Sequence, residues 1–249
     1  MQIGLIGAGN MASALARGFG EPVLVADVVP EKARALAAEL GGEALESNGE
    51  VAERADVLLL AHKPAQLDDV AHSTHGKAKA IASILGGTPI ASVERAYPQV
   101  PVYRFLPSIP AEVRQGVTCY APGTRAAQGP ESELVELFER VGPVLRLDES
   151  LIDPAMALMS CGPAFYALVV EAMVDAGVRH GLQPADASRM AVQTMAGAAA
   201  VLQAHEHDTA GLRRRVTSPG GSTARGLEAL ERGGLRAAFY DAVAAVVNR

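Results

Sequence analysis

Two glycine-rich stretches, one near each end of the chain, carry residue types that hold anions. Near the C-terminus, Ser218-Pro219-Gly220-Gly221-Ser222-Thr223 interrupts a region rich in Ala, Leu and Val. Proline removes a backbone donor and glycine adds chain entropy, so both break a helix. What they leave is a group of amide nitrogens around Gly220, Gly221 and Ser222, where a new helix would begin. The hydroxyls of Ser218, Ser222 and Thr223 flank those amides. Amides converging on a helix start bind a small anion such as a carboxylate. A Ser/Thr cap on an ordinary helix would use the same residue types.

Near the N-terminus, Gly7-Ala8-Gly9-Asn10-Met11-Ala12 reads G-x-G-x-x-A between an apolar run and a helical pattern. The first glycine permits a tight turn and the second lets a pyrophosphate approach the backbone. The third small residue lets helix pack on strand, and the helix start faces the phosphates. Asp27 closes the next apolar run. A carboxylate there accepts from the ribose hydroxyls of NAD and repels the extra phosphate of NADP. Between Ala26 and Lys32 there is no arginine to hold that phosphate, although Lys32 can reach it. The expected cofactor is NADH or NADPH, with NADH slightly favoured by Asp27.

The elements that must position these residues follow two patterns. Over residues 1–150 short apolar runs alternate with helical segments. The runs are Ile3 to Ile6, PVLVAD, ADVLLLAHKP, AKAIASIL and VPVYRFLP; Pro30 opens a helix that Gly41 closes. Strand, helix, strand, repeated, predicts a parallel sheet covered on both faces, a Rossmann-type dinucleotide-binding domain. Over residues 151–249 the pattern is helical, with Pro163 and Pro184 near two helix starts. Those two helices are apolar on nearly every face and need cover on all sides. About a hundred residues cannot supply that cover and keep a polar exterior. The second region is therefore expected to be an all-α dimerisation domain, the alternative being one unusually apolar bundle core.

The bulk composition narrows the class. The apolar share is 49% and the net charge −6. That balance gives no reason to expect nucleic acid or an anionic membrane as partner. No run is read as long enough to cross a bilayer, and the strand at residues 2–6 leaves no room for a signal peptide, so a cytoplasmic protein is expected. Cys119 and Cys161 form no CxxC or Cys/His array, so neither a disulfide framework nor a metal site is expected. Cys161 reads as a small buried residue rather than a nucleophile. His205-Glu206-His207 reads as a solvated turn that fits no zinc spacing. Arg213 to Arg215 read as a solvated helix end that raises the potential beside the anion loop.

Several stretches together resemble the pyrroline-5-carboxylate reductase family, over nearly the whole chain. IGAGNMASALARG is similar to the family's N-terminal fingerprint, including Asn10 and Met11. Asn48 matches an asparagine that the family places near the adenine ribose. Ala61, Lys63 and Pro64 match its cofactor-contacting A-V-K-P, with His62 in place of valine. CGPAF, DAGVRHGL, QTMAGAA and VTSPGGSTARGLEALERGG follow in the family's order. Leu106, Ser108, Met159 and Ser160 depart from its pattern.

The resemblance implies hydride transfer from NADH or NADPH to 1-pyrroline-5-carboxylate, a cyclic imine carboxylate, giving L-proline. It also implies a homodimer or a higher assembly of dimers. Ser218, Gly220, Gly221, Ser222 and Thr223 would then grip the carboxylate. Related β-hydroxyacid dehydrogenases carry a general-base lysine in their helical half. Here the lysines are Lys32, Lys63, Lys77 and Lys79, all in the first half, which agrees with an electrophilic iminium that needs no base. The alternatives are a reductase of a related cyclic imine or keto acid and a non-catalytic dinucleotide-binding regulatory protein.

Overall fold

The structure, a computed structural model, describes residues 1–248. The chain divides into two compact units, Met1–Ser160 and a second that begins at Cys161. The first unit thus continues past residue 150, where the composition changes, because a further helix packs on its sheet.

The first unit is an eight-stranded sheet of order β3-β2-β1-β4-β5-β6-β7-β8. Its strands are β1 (Ile3–Ile6), β2 (Leu24–Ala26), β3 (Glu43–Ala44), β4 (Val57–Leu60), β5 (Ile81–Ser83), β6 (Val102–Pro107), β7 (Thr118–Pro122) and β8 (Val144–Arg146). The helices are α1 (Asn10–Phe19), α2 (Pro30–Leu40), α3 (Asn48–Arg54), α4 (Leu67–Ser73), α5 (Ile90–Ala96), α6 (Glu131–Glu139) and α7 (Ile152–Met159). Pro30 and Gly41 behave as expected: the proline opens α2, and Gly41, at φ 67°, closes it in the left-handed region.

The sheet is parallel except at one step. β6 and β7 run antiparallel, Tyr103 opposite Pro122 and Pro107 opposite Thr118. Residues 108–117 are too few for a helical crossover, so the chain turns straight back. The sheet is parallel-dominated, as expected, with this one antiparallel step. β3, β7 and β8 extend the sheet beyond the five strands read from sequence.

Alternate residues of each strand face opposite sides. Leu5, Val25, Leu59, Tyr103 and Phe105 pack against α1, α2 and α6 through Leu15, Leu36 and Phe138. Ile6, Leu24, Leu58, Leu60 and Ile81 pack against α3, α4, α5 and α7 through Val51, Val70, Val93 and Ile152. Phe105 stacks on Phe138, with ring centroids 4.1 Å apart, and on Tyr120 at 5.3 Å. The buried runs are what a sheet covered on both faces requires.

The second unit is helical: α8 (Gly162–Arg179), α9 (Pro184–Ala204), α10 (Thr209–Arg215), α11 (Ser222–Arg232) and α12 (Leu235–Val247). Among its described residues only Gly162, Ala187 and Ala191 are buried. Leu168 is 67% exposed and Tyr240 72%. This unit has apolar faces but no interior of its own.

One sequence expectation needs correcting. The stretch Glu149–Arg179 is long and apolar enough for a membrane span by length and composition, with a mean hydropathy of 1.6. It is not one uninterrupted helix, because α7 ends at Met159 and α8 starts at Gly162.

Candidate active site

On the first unit the strand order reverses between β1 and β4, and a doubly wound sheet binds ligands at the carboxyl ends of such a pair. Gly7 leaves β1 at φ 106°, and a Cβ there would lie 2.8 Å from the Ala61 carbonyl oxygen and 3.0 Å from the His62 nitrogen. Only glycine fits this turn. Gly9 has the opposite character. It precedes α1 at φ −75°, makes no side-chain cap, and an added Cβ would meet nothing within 4 Å. The amides at the start of the ten-residue α1 are therefore approachable from the Gly9 side, and the first turn holds no acidic residue. Asn10 is exposed, and Met11 packs half-buried against the core. This cradle, open where a diphosphate must enter, fits a dinucleotide.

Asp27 is tied into the cradle. Its Oδ2 accepts from the Ala8 N–H at 2.6 Å and its Oδ1 from the Val29 N–H at 2.7 Å. Each carboxylate oxygen keeps a further lone pair for a ribose hydroxyl. Gly7 N–H donates to the Ala26 carbonyl at 2.8 Å, and Ala61 N–H to the Ile6 carbonyl at 2.9 Å. Gly7, Ala8, Asp27 and Ala61 are thus brought together by the ends of β1, β2 and β4. Lys63 and Pro64 continue from β4, with Lys63 N–H donating to Gln66 Oε1 at 3.3 Å. Asn48 opens α3, and its side-chain amide donates to Ser73 Oγ at 3.2 Å.

His62 stands where the A-V-K-P pattern has valine. Its Nδ1 lies 2.9 Å from the Lys63 carbonyl oxygen, so this nitrogen carries the proton and donates. Its Nε2 is buried without a partner. Burial pushes the imidazole pKa below its ordinary value, with the Lys63 contact acting against it.

On the second unit the Ser-Pro-Gly-Gly-Ser-Thr loop joins α10 to α11. Thr217 Oγ1 donates back to the Arg213 carbonyl at 2.6 Å, closing α10. Gly220 sits at φ 65° in the left-handed region, and Gly221 N–H donates to the Ser218 carbonyl at 3.0 Å. Gly221 then precedes α11 in an extended conformation, with no side-chain cap and no acid in the first turn. A Ser or Thr cap, the bland reading of this loop, is absent at that position. Ser218, Ser222 and Thr223 are exposed.

Arg225, which no motif singles out in the sequence, folds back on the loop. Its Nη1 donates to the Gly220 carbonyl at 2.7 Å and its Nη2 approaches Ser222 Oγ at 3.3 Å. It adds a full positive charge where Arg213 to Arg215 had been credited with one. Of those, Arg214 reaches Asp208 at 3.8 Å and Arg215 reaches His205 Nε2 at 3.1 Å.

The remaining candidates take structural places. Ser108 is buried, and its Oγ accepts from the Val117 N–H at 2.9 Å. Ser160 Oγ donates to the Pro107 carbonyl at 3.3 Å. Cys161 is half-buried rather than buried, because it stands at the very start of α8. Glu206 and His207 adopt φ of 51° and 61°, a turn. Among the described residues no three metal-binding side chains gather.

Comparison with known proteins covers both units. Residues 149–249 match a family described as pyrroline-5-carboxylate reductase dimerisation, and residues 2–87 one described as NADP oxidoreductase, coenzyme F420-dependent. A pyrroline-5-carboxylate reductase of Synechocystis is 35% identical over 258 residues, covering 100% of this chain and 97% of the relative. The structure of such a reductase from Coxiella burnetii superposes with a TM-score of 0.90 at 29% identity, covering 100% of this chain and 96% of the other. That from Plasmodium falciparum, solved with NADP bound, gives 0.88 at 26% identity, again covering 100% and 96%.

Proposed function

This chain belongs to the pyrroline-5-carboxylate reductase family, and from that premise we infer that it reduces 1-pyrroline-5-carboxylate to L-proline with NADH or NADPH. It is an oxidoreductase acting on a carbon–nitrogen double bond. The bound reduced dinucleotide supplies hydride for C5 of the ring, while the ring nitrogen carries the proton that completes the amine.

The chain's own residues orient the reactants. Gly7, Gly9, Asn10 and Met11 turn the backbone so that the start of α1 faces the diphosphate, and Asp27 takes the adenosine ribose. Asn48, Ala61, Lys63 and Pro64 complete the cofactor contacts. Ser218, Gly220, Gly221, Ser222 and Thr223 grip the substrate carboxylate, and Arg225 reinforces the charge. Holding donor and acceptor in attacking geometry contributes about 7–11 kcal/mol to such a reaction. The observation that carries this reading is the uncapped start of α11, with left-handed Gly220 and Arg225 folded against it. A protonated imine is already electrophilic and needs no base, in keeping with a helical half that has no lysine.

Four finer points belong to the same reading. NADH is slightly favoured over NADPH, supported by the Asp27 carboxylate and the lack of arginine in residues 27–31. The chain forms an oligomer built on a homodimer of the helical unit, supported by the dimerisation match and by the exposed apolar side chains of α8. It works in the cytoplasm, supported by two free cysteines. The division of labour runs from the first unit, Met1–Ser160, for the nucleotide to the helical unit for substrate and assembly.

The test is oxidation of NADH by the purified protein on adding the cyclic imine, beside a panel of other cyclic imines. Preferred turnover of pyrroline-5-carboxylate is expected. A Ser218→Ala, Thr223→Val double variant should lose about tenfold in kcat/KM with unchanged NADH affinity, as expected for removing hydrogen bonds to a charged group at an exposed site. Turnover confined to another imine, or a fully active double variant, would refute the assignment.

A further inference from the structure

His62 Nε2 is a buried side-chain polar atom with no hydrogen-bond partner among the described residues. It stands immediately after β4, beside the turn made by Gly7, whose added Cβ would lie 3.0 Å from the His62 backbone nitrogen. Because Nδ1 donates to the Lys63 carbonyl, Nε2 carries a lone pair and no hydrogen. A buried acceptor left bare costs free energy and calls for a donor from outside the chain, a ligand or an ordered water.

The fold says which ligand group lies there. A dinucleotide spans the point where the strand order reverses, one mononucleotide on each side. Asp27 at the end of β2 marks the adenosine side, and β4 opens the other half of the sheet. The hydrogen-bond donors of that other half are the ribose hydroxyls and the carboxamide amine of the nicotinamide nucleoside. We infer that His62 is a cofactor-contacting residue, its Nε2 accepting a hydrogen bond from one of these donors, a contact that valine at this position cannot make. The inference rests on the reductase reading above and adds a polar anchor to the nicotinamide side of the site.

The test is equilibrium binding to the full-length protein, followed by fluorescence, with NADH, ADP and the reduced nicotinic-acid analogue that has a carboxylate in place of the carboxamide. His62→Val should weaken NADH about five- to tenfold, the worth of one neutral hydrogen bond, and leave ADP unchanged. His62→Gln, which can present an acceptor oxygen, should recover part of the loss. If the carboxamide is the donor, His62→Val makes no difference to the acid analogue; if a ribose hydroxyl is, both dinucleotides weaken alike. The 15N resonance of His62 Nε2 should move when NADH is added and stay in place with ADP. Wild-type NADH affinity in His62→Val, or an equal loss of ADP, would overturn the inference, the latter because the ring would then act through the Gly7 turn. A wild-type protein that binds neither NADH nor ADP would overturn the reductase reading itself, and this contact with it.

Discussion

Gly7 and Gly9 are two positions apart in one motif, yet the structure asks opposite things of them, and an alanine at each separates the two demands. At Gly7 the added methyl meets the Ala61 carbonyl oxygen at 2.8 Å and its carbon at 2.9 Å. Ordinary contact begins near 3.4 Å. Neither side can yield easily, because Ala61 N–H is bonded to the Ile6 carbonyl and Gly7 N–H to the Ala26 carbonyl. A non-glycine residue at φ 106° adds strain of its own. Such a conformation costs about 1–3 kcal/mol, and overpacking adds about as much. For a chain of this size each kcal/mol moves Tm by about 2–4 °C. Gly7→Ala should therefore lower Tm by roughly 8–16 °C, for a central cost of about 4 kcal/mol. At Gly9 φ is −75° and nothing lies within 4 Å of the added methyl. Gly9→Ala should lower Tm by no more than about 2–4 °C, since alanine before a helix is about 1 kcal/mol worse than glycine and meets no clash here. The same methyl stands in the approach to the α1 amides, so NADH affinity should fall at least about tenfold. Thermal melts and fluorescence titrations read the two effects independently. A Gly9→Ala protein with wild-type affinity, or a Gly7→Ala protein with wild-type Tm, would refute the cradle geometry.

Three further outcomes follow from other parts of the molecule. Arg104 is buried against Glu149 at 3.0 Å, and Glu149 Oε1 also accepts from the Ile90 N–H at 2.6 Å. Glu149→Gln should therefore cost about 2 kcal/mol and lower Tm by roughly 4–8 °C; an unchanged melt would mean the outlying Asp153 suffices. Leu168→Asp places a charge on an α8 face that is 67% exposed in the single chain. Light scattering should then give a smaller assembly than wild type, and an unaltered mass would move the interface elsewhere. His62 has a folded pKa held below its ordinary 6.5 by burial. The unfolded chain thus takes up this proton first as pH falls, so the stability is complete above about 6.5 and declines below it. His62→Val should lose less Tm than wild type between about pH 7.5 and 5.5, and equal losses would mean the ring is not held neutral.

What the sequence discloses are features that depend on neighbours in the chain. Gly7, Gly41 and Gly220 all adopt positive φ, a demand written locally by turn and helix-end chemistry. The five buried strands announce themselves as short continuous apolar runs. β8 does not, because Val144 to Arg146 lie at a half-exposed edge, and the two residues of β3 leave no pattern to read. The β6–β7 reversal depends on the length of a connection whose ends cannot be located without knowing β7. In the site, Arg225 was missed because its bond to the Gly220 carbonyl spans five residues across a loop–helix junction, a fold-back that no periodicity encodes. His62 was seen only as a departure from a pattern. Whether a ring nitrogen is left bare depends on packing around it, and that is settled in three dimensions.

Burial is distributed unequally between the two units. The cofactor cradle rests on a sheet whose two faces are filled by large side chains such as Phe105, Phe138, Leu60 and Ile81. The Ser218–Thr223 loop rests on helices whose described residues include three buried ones, none larger than alanine. Such helices cannot offset their conformational entropy alone, so the helical unit draws on contacts beyond its own residues, in keeping with its match to a dimerisation family. The cradle at Gly7 and Gly9, by contrast, is formed by the first unit's own core.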